Sequence, residues 1–162
     1  MHIYRINNKK EAKMLRTVSK EVFFPLSEKD SSEANDVLST ALHDSQKCIG
    51  VSAIQCGIDK RYFWSTIGKK HRLFINPEIV WHSKWMQSTQ EACLSTNRSN
   101  HVNEFYVLRR YRYIILKWYD KKGKIHCRLF GAKYTRRLLH ELDHLNGRLI
   151  TDEGTFTFTK NY

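Results

Sequence analysis

The sequence lacks the features that mark membrane-embedded, exported and repetitive proteins. None of its apolar runs approaches the roughly 18 to 20 residues that a membrane helix needs. The first twenty residues contain neither a continuous apolar core nor a small-residue cleavage site, so we expect no secretory signal. No repeat, linker or low-complexity tract divides the 162 residues. We therefore expect a single domain over residues 1–162, in the cytoplasm and without a membrane partner.

Closely spaced cysteine pairs are also missing. The chain has four cysteines, none in CxxC spacing: Cys48, Cys56, Cys93 and Cys127. Because such spacing and an export signal are both lacking, free thiols or a metal ligand fit these residues better than disulfides do.

Acidic residues are scarce relative to basic ones. Lys and Arg number 28 against 16 Asp and Glu, which gives a formal net charge of +12. Such a charge favours polyanionic neighbours such as RNA or the ribosome, although a merely soluble basic surface carries it as well. With 41% hydrophobic and 12% aromatic residues, the chain is expected to fold rather than to remain disordered.

Apolar periodicity predicts two helices. Small apolar residues recur at helical spacing after Ser31 and Ser32, either of which would cap a helix that ends near Gln46. A second apolar-periodic segment covers residues 134–145. The charged stretch 8–20 is instead expected to be an exposed N-terminal segment.

Strand-like composition fills most of the remaining chain. The predicted strands cover residues 62–65, 72–75, 79–85, 106–119, 125–130 and 155–159. Asn76 and Pro77 are expected to end the second of them, and residues 120–123 to form a hairpin turn. The last strand alternates Thr and Phe, which predicts one buried face. The predicted fold class is α+β, with antiparallel strands around a central helix.

The central helix carries the HExxH motif of His140, Glu141, Leu142, Asp143 and His144. At about 3.6 residues per turn, histidines four positions apart present their imidazoles on one face, as a metal-binding helix requires. Glu141 lies beside them, where its carboxylate reaches a metal-bound water without being a ligand. A helix with two ordinary histidines would match the same motif.

The source of a third ligand distinguishes the possible metal sites. In the extended motif HExxHxxGxxH the third ligand position is Ile150, which cannot bind a metal. Asp152 and Glu153 are the only acids downstream, so a carboxylate ligand from that side has weak support. Cys93 is the best upstream candidate, because a thiolate and two imidazoles leave one position open for water. Taken alone, Cys93 fits a small buried hydrophobe better than a ligand.

The order and spacing of three motifs indicate which kind of metal site this is. GVSAIQ at 50–55, EACLS at 91–95 and HELDH at 140–144 follow one another at spacings of about forty residues, and together they resemble the signature motifs of the peptide deformylase family. FINPE at 74–78 and the turn at 120–123 also match. The resemblance spans roughly residues 15–152 and implies a short form without the long C-terminal helix of many members, in a bacterium, a virus-infected cell or an organelle.

The resemblance implies a ligand set and a reaction. Cys93, His140 and His144 would bind one divalent metal ion. Fe2+ is the expected ion, and Zn2+, Ni2+ and Co2+ are alternatives. The enzyme would remove the N-formyl group from the N-terminal methionine of new polypeptides, so formyl-Met nascent peptides would be its substrates. Glu141 would act as general base and then as general acid.

The resemblance also assigns residues around the metal. The side-chain amide of Gln55 and the backbone N–H of Leu94 would hold the developing oxyanion. The backbone of Gly50 would line the peptide groove, and Ile49 would border the methionine pocket. Asp143 would orient a ligand imidazole, or it would be a solvated helix carboxylate.

Several positions depart from the family's pattern. Cys48 and Ala92 replace glycines, Ser52 replaces an alanine, and Leu139 replaces a glutamine. A positive φ angle would strain Ala92.

Arg137 is the departure that bears most on the substrate. It stands where the family has a small apolar residue of the methionine pocket, so we count it with Glu91, its expected partner, among the substrate-binding residues. The alternative function is a catalytically altered, basic RNA- or ribosome-binding module on the same fold. DNA is not an expected partner of either form.

Overall fold

The chain folds into two antiparallel sheets and four helices over the residues described by the structure, a computed structural model. These are residues 1–46, 48–96 and 102–161, without the side chains of 102, 103 and 161. The elements are α1 (Lys9–Leu15), α2 (Glu28–Asp44), β1 (Gly50–Ser52), a 3-10 turn (Ala53–Cys56), β2 (Tyr62–Ile67), β3 (Lys70–His82), β4 (Met86–Glu91), β5 (Val102–Tyr111), β6 (Ile114–Tyr119), β7 (Ile125–Phe130), α3 (Ala132–Leu145), α4 (Ile150–Glu153) and β8 (Thr155–Asn161).

The strands form a five-stranded sheet in the order β1-β2-β3-β6-β7 and a three-stranded sheet in the order β4-β5-β8. Each pairing between these strands is antiparallel. The prediction of an α+β fold is confirmed. Among the described residues, no helix combines the length and apolar content needed to cross a membrane.

Helix α3 is held on the larger sheet by its apolar stripe. Its buried leucines pack against aromatic and aliphatic side chains of that sheet, with Leu138, Leu142 and Leu145 meeting Phe63, Phe74, Leu116, Trp118 and Phe130. The helix ends at Asn146, and Gly147 follows with a φ of 71° and donates to the His144 carbonyl. A Cβ at Gly147 would lie 2.5 Å from the Arg16 carbonyl oxygen, so glycine is required there for both angle and space.

A second core cluster lies on the side of α2. Ala34, Val37 and Ala41 on α2 are buried against Val51 and other residues near β1 and β2. This packing holds the short strand β1, which the functional site uses, against the body of the protein.

The N-terminal helices differ from their predictions. Residues 8–20 are not simply an exposed segment, because Asn8 caps α1 and Leu15 is fully buried. Helix α2 begins after Ser27, whose side chain and that of Asp30 form a capping box, so the predicted cap at Ser31 or Ser32 was wrong.

Three strand predictions also need correction. Asn76 does not end a strand: β3 continues to His82 with a register shift, and Asn76 has a φ of 48°. The predicted strand 106–119 is two strands in different sheets. The tail is a strand but lacks a buried face, since Phe156 and Phe158 are 52% and 42% exposed.

Candidate metal centre and active site

Cys93, His140 and His144 converge beside a cleft of about 510 Å³. Their potential ligand atoms all lie within 4.8 Å of one another, and Cys93 Sγ is 3.2 Å from His144 Nε2. Helix α3 presents both imidazoles on one face, and the chain leaving β4 brings the thiol to them. One thiolate and two imidazoles form a ligand set that suits several divalent transition metals.

The pKa values of the Cys93 thiol and the His140 imidazole bear directly on metal binding. Burial opposes ionisation of the Cys93 thiol, yet the imidazoles of His144 and His140 outweigh it and hold its pKa well below the usual value. Burial likewise disfavours a charged His140, but hydrogen bonds with Cys93 and Glu91 raise its pKa. Metal binding needs a thiolate, which is already present, and neutral imidazoles, so a metal would displace the proton that His140 holds.

A buried charge network fixes the orientation of His140. Its Nδ1 lies 2.8 Å from Glu91 Oε2, which leaves Nε2 to face the cluster. Arg110 donates to both oxygens of Glu91 at 2.8 Å, and its remaining terminal nitrogen binds Asp143. Burial raises the pKa of Glu91, but hydrogen bonds from Arg110 and His140 reverse the shift and lower it. Glu91 is therefore a buried carboxylate that holds a potential ligand in place.

This network corrects one prediction and contains a residue that the sequence reasoning missed. Asp143 neither binds the imidazole of His140 or His144 nor stands free in solvent, because its carboxylate binds Arg110. Arg110 was missed: it is buried on the same face of β5 as Leu108, but the adjacent Arg109 and Arg110 give the sequence no alternation that would mark one of them as buried.

The amide of Gln55 faces the ligand cluster. Its Oε1 accepts hydrogen bonds from the backbone N–H and the hydroxyl of Ser52, at 3.0 and 3.2 Å. Its Nε2 donates to Ser95 Oγ at 3.0 Å and lies 3.5 Å from Cys93 Sγ. Ser52, a departure from the family's alanine, thus helps to hold Gln55.

The turn after Cys93 sets the direction of the Leu94 N–H. The carbonyl of Cys93 accepts hydrogen bonds from both the backbone N–H and the hydroxyl of Thr96 at 3.2 Å. Since Leu94 N–H belongs to the same planar trans peptide, it points away from that turn. Arg5 donates to the Leu94 carbonyl at 2.8 Å and holds the next peptide.

Glu141 and Gly50 are in close contact across the cleft wall. A Cβ at Gly50 would lie 2.4 Å from Glu141 Oε1, so glycine leaves the room that this carboxylate occupies. Glu141 is 4% exposed, and its Oε2 has no hydrogen-bond partner among the described residues. Burial raises its pKa to about 7. A carboxyl group with such a pKa can both take and return a proton near neutral pH.

The four residues predicted to bind substrate, Ile49, Gly50, Glu91 and Arg137, all line the cleft. The predicted pair between Arg137 and Glu91 is absent, because Arg110 and His140 already bind both Glu91 oxygens. Arg137 instead donates to the carbonyl of Thr66 at 3.2 Å.

The other departures are accommodated without strain. Among the described residues, Asn76 is the only non-glycine residue with a positive φ angle. Ala92 therefore lacks the backbone angle that would have strained it. Leu139 is buried in the core cluster of α3. Cys48 donates to the Gly50 carbonyl, and burial raises the pKa of its thiol to about 12. All four cysteines are free thiols.

Comparison with known proteins agrees with this arrangement. The family model of polypeptide deformylase matches residues 2–157. The chain belongs to the polypeptide deformylase family. The peptide deformylase of Bartonella quintana (strain Toulouse) is 33% identical over 148 residues, which cover 86% of this chain and 77% of that protein. The family resemblance seen in the sequence is therefore confirmed.

Two solved structures show the same fold. A peptide deformylase from Thermotoga maritima has a TM-score of 0.81 at 27% identity, with 94% of this chain and 95% of that chain covered. A probable peptide deformylase from synechococcus phage S-SSM7 has a TM-score of 0.79 at 28% identity, with 94% and 99% covered. The family supports metal-dependent deformylation by this chain, and nothing in these likenesses favours the RNA-binding alternative.

Proposed function

We propose that this protein removes the N-formyl group from formyl-methionine at the start of nascent polypeptides, in the cytoplasm. The observation that carries the proposal is the convergence of three ligand side chains with Glu141 and the Gln55 amide at one cleft. These are the parts that hydrolysis of a formyl amide needs: activated water, a proton carrier and donors for the oxyanion.

Cys93, His140 and His144 would hold one divalent metal, and we propose Fe2+ as the native ion. A metal at such a site supplies Lewis acidity and lowers the pKa of water to near neutrality. The Glu91–Arg110–Asp143 network supports this role, since it holds His140 with Nε2 toward the cluster.

Glu141 would carry the proton. With a raised pKa and one oxygen without a partner among the described residues, it takes the proton from the attacking water and returns it to the leaving amine. Gly50 supports this role, because it leaves the space in which the carboxylate sits.

Gln55 and Leu94 would stabilise the negative charge that develops on the formyl oxygen. The Ser52 contacts orient Gln55 before any substrate arrives, and the Cys93–Thr96 turn does the same for the Leu94 N–H. Preorganised donors of this kind stabilise the transition state because they need no rearrangement during the reaction.

The peptide would bind beside β1. This strand is at the edge of the five-stranded sheet, so an extended peptide can pair with it at Gly50 while Ile49 contacts the methionine side chain. The net charge of +12 favours association with polyanionic ribosomal RNA, close to the nascent chain.

The direct test is formate release from formyl-Met-Ala-Ser by protein loaded anaerobically with Fe(II) or Ni(II). We expect turnover with either metal and none with metal-free protein. Absence of formate from fully metal-loaded protein would contradict the proposal.

A further inference from the structure

Arg136 and Arg137 place two cationic groups along the α3 side of the cleft. They occupy consecutive helix positions, and their guanidinium groups bind carbonyls of two different strands. Arg136 Nη1 donates to the Gln90 carbonyl of β4 at 3.1 Å, whereas Arg137 Nη1 donates to the Thr66 carbonyl of β2 at 3.2 Å. Both are half-buried and line the cleft beside His140. A peptide that binds in the cleft would therefore lie close to both guanidinium groups.

The acidic groups of the cleft do not neutralise these arginines. Asp44 pairs with Arg5 at 3.1 Å, and Glu91 is bound by Arg110 and His140. Glu141 is the proposed proton carrier. Among the described residues, the hydrogen bonds of Arg136 and Arg137 go to backbone carbonyls. A carbonyl satisfies a donor but leaves the positive charge uncompensated.

A methionine side chain does not compensate this charge either. Its thioether sulfur is a weak acceptor without formal charge. A guanidinium in a partly dry cleft binds a carboxylate far better, through charge and two parallel hydrogen bonds. A negative charge that pairs with these arginines must therefore come from a peptide residue next to the methionine.

We propose that Arg136 and Arg137 make the enzyme select formyl-Met peptides with an acidic side chain at the second or third residue. This inference rests on the proposed deformylase function. In an extended peptide the third side chain points to the same face as the first, and the second lies about 3.3 Å along the chain. Both positions are within reach of a long arginine side chain. Lysine or arginine at these positions would be repelled.

The test compares kcat/KM for four peptides at low salt: formyl-Met-Ala-Ser, formyl-Met-Asp-Ser, formyl-Met-Ala-Asp and formyl-Met-Lys-Ser. We expect one of the Asp peptides to exceed the neutral peptide by about fivefold, and the Lys peptide to fall below it by a similar factor. Near 1 M salt, where the Debye length is about 3 Å, these ratios should approach one.

Matched variants test whether Arg136 and Arg137 cause the preference for acidic peptides. Arg136→Met and Arg137→Met should each lower the ratio of acidic to neutral peptide, and the double variant should bring it to about one. Arg137→Lys retains the charge and should retain most of the preference. Arg109→Met removes the same charge from an exposed position of β5 outside the cleft and should leave the ratio unchanged.

Two results would overturn the inference while leaving the deformylase function intact: equal kcat/KM for acidic and neutral peptides, or an acidic preference that persists in the double variant. Turnover of the neutral peptide tests the proposed function separately. If no peptide releases formate, the proposed function fails and this inference fails with it. Because Arg136 is half-exposed, its single variant tests the inference even where the double variant does not fold.

Discussion

On the metal side of the cleft, buried charges bind other charges, whereas on the substrate side Arg136 and Arg137 bind backbone carbonyls. Glu91, Arg110 and Asp143 form a network in which Glu91 and Arg110 are each 5% exposed. Such a network loses stability when one member is removed, because an unpaired charge remains buried. The substrate side carries no such constraint, because replacing Arg136 or Arg137 leaves no buried partner charge unpaired.

The largest expected loss of activity comes from Gly50→Ala. Gly50 lines the cleft where the peptide is proposed to bind and also contacts the catalytic Glu141. The added Cβ would lie 2.4 Å from Glu141 Oε1, so the carboxylate must move from its position. We expect kcat to fall by about 10² to 10⁴, the usual contribution of general acid–base catalysis, with bound metal retained. Gly131→Ala, whose Cβ meets Tyr113 at 3.4 Å, is the matched control. Unchanged turnover in Gly50→Ala would contradict the proposed position of Glu141.

Gln55→Ala removes one proposed oxyanion donor. We expect kcat to fall by about 10² to 10³ with little change in metal content. Ser52→Ala should have a smaller effect, since the Ser52 backbone N–H still holds Gln55 Oε1. Steady-state kinetics on both variants check this order, and an equal loss in the two would show that the hydroxyl alone orients the amide.

Arg110→Met breaks the network on the metal side. It leaves Glu91 buried without its bidentate partner, so we expect a loss of roughly 3 to 5 kcal/mol in stability and about 10- to 100-fold in metal affinity. Denaturant unfolding and metal titration measure the two losses. Arg136→Met, on the substrate side, should change neither by a comparable amount. If both variants lost the same stability, the charges on the metal side would be no more important for stability than Arg136 on the substrate side.

Asp30→Asn gives the smallest effect and lies outside the cleft. Hydrogen bonds from Lys60 and Ser27 lower the Asp30 pKa from 3.8 to about 2. The stabilisation is therefore complete above about pH 4 and is lost as the pH falls through about 2. We expect the variant to lose up to about 1 kcal/mol at neutral pH, because it removes a partly exposed ion pair with Lys60, and to keep unchanged turnover. Urea unfolding at pH 7 and pH 2 tests this, since the two proteins should converge in acid.

The sequence predicts the helix of the site better than its surroundings. Residues 134–145 have strong 3.6-residue periodicity, and α3 (Ala132–Leu145) follows it closely. The motif order was enough to identify the family, since the three motifs resemble it in register. Arg110 was missed, because its partner Asp143 is 33 positions away and such pairs have no local signal.

The strand errors have the same origin. Residues 106–119 have uniform β composition, yet the chain leaves β5 in one sheet and enters β6 in the other. The Thr–Phe alternation of 155–159 correctly indicates a strand, but no layer covers the Phe156 and Phe158 side chains enough to bury them. Local pattern predicts extended backbone, whereas tertiary packing decides which sheet a strand joins and which face is covered.

The most direct test of the central claim is the Glu141→Gln variant, measured for metal content and formate release on the same sample. Glutamine keeps the size of the side chain but cannot take up the proton. We expect one divalent metal per chain, as in the parent protein, and loss of formyl-Met-Ala-Ser turnover by at least about 10². Full turnover with metal bound would contradict the account, because Glu141 would then not be the proton carrier.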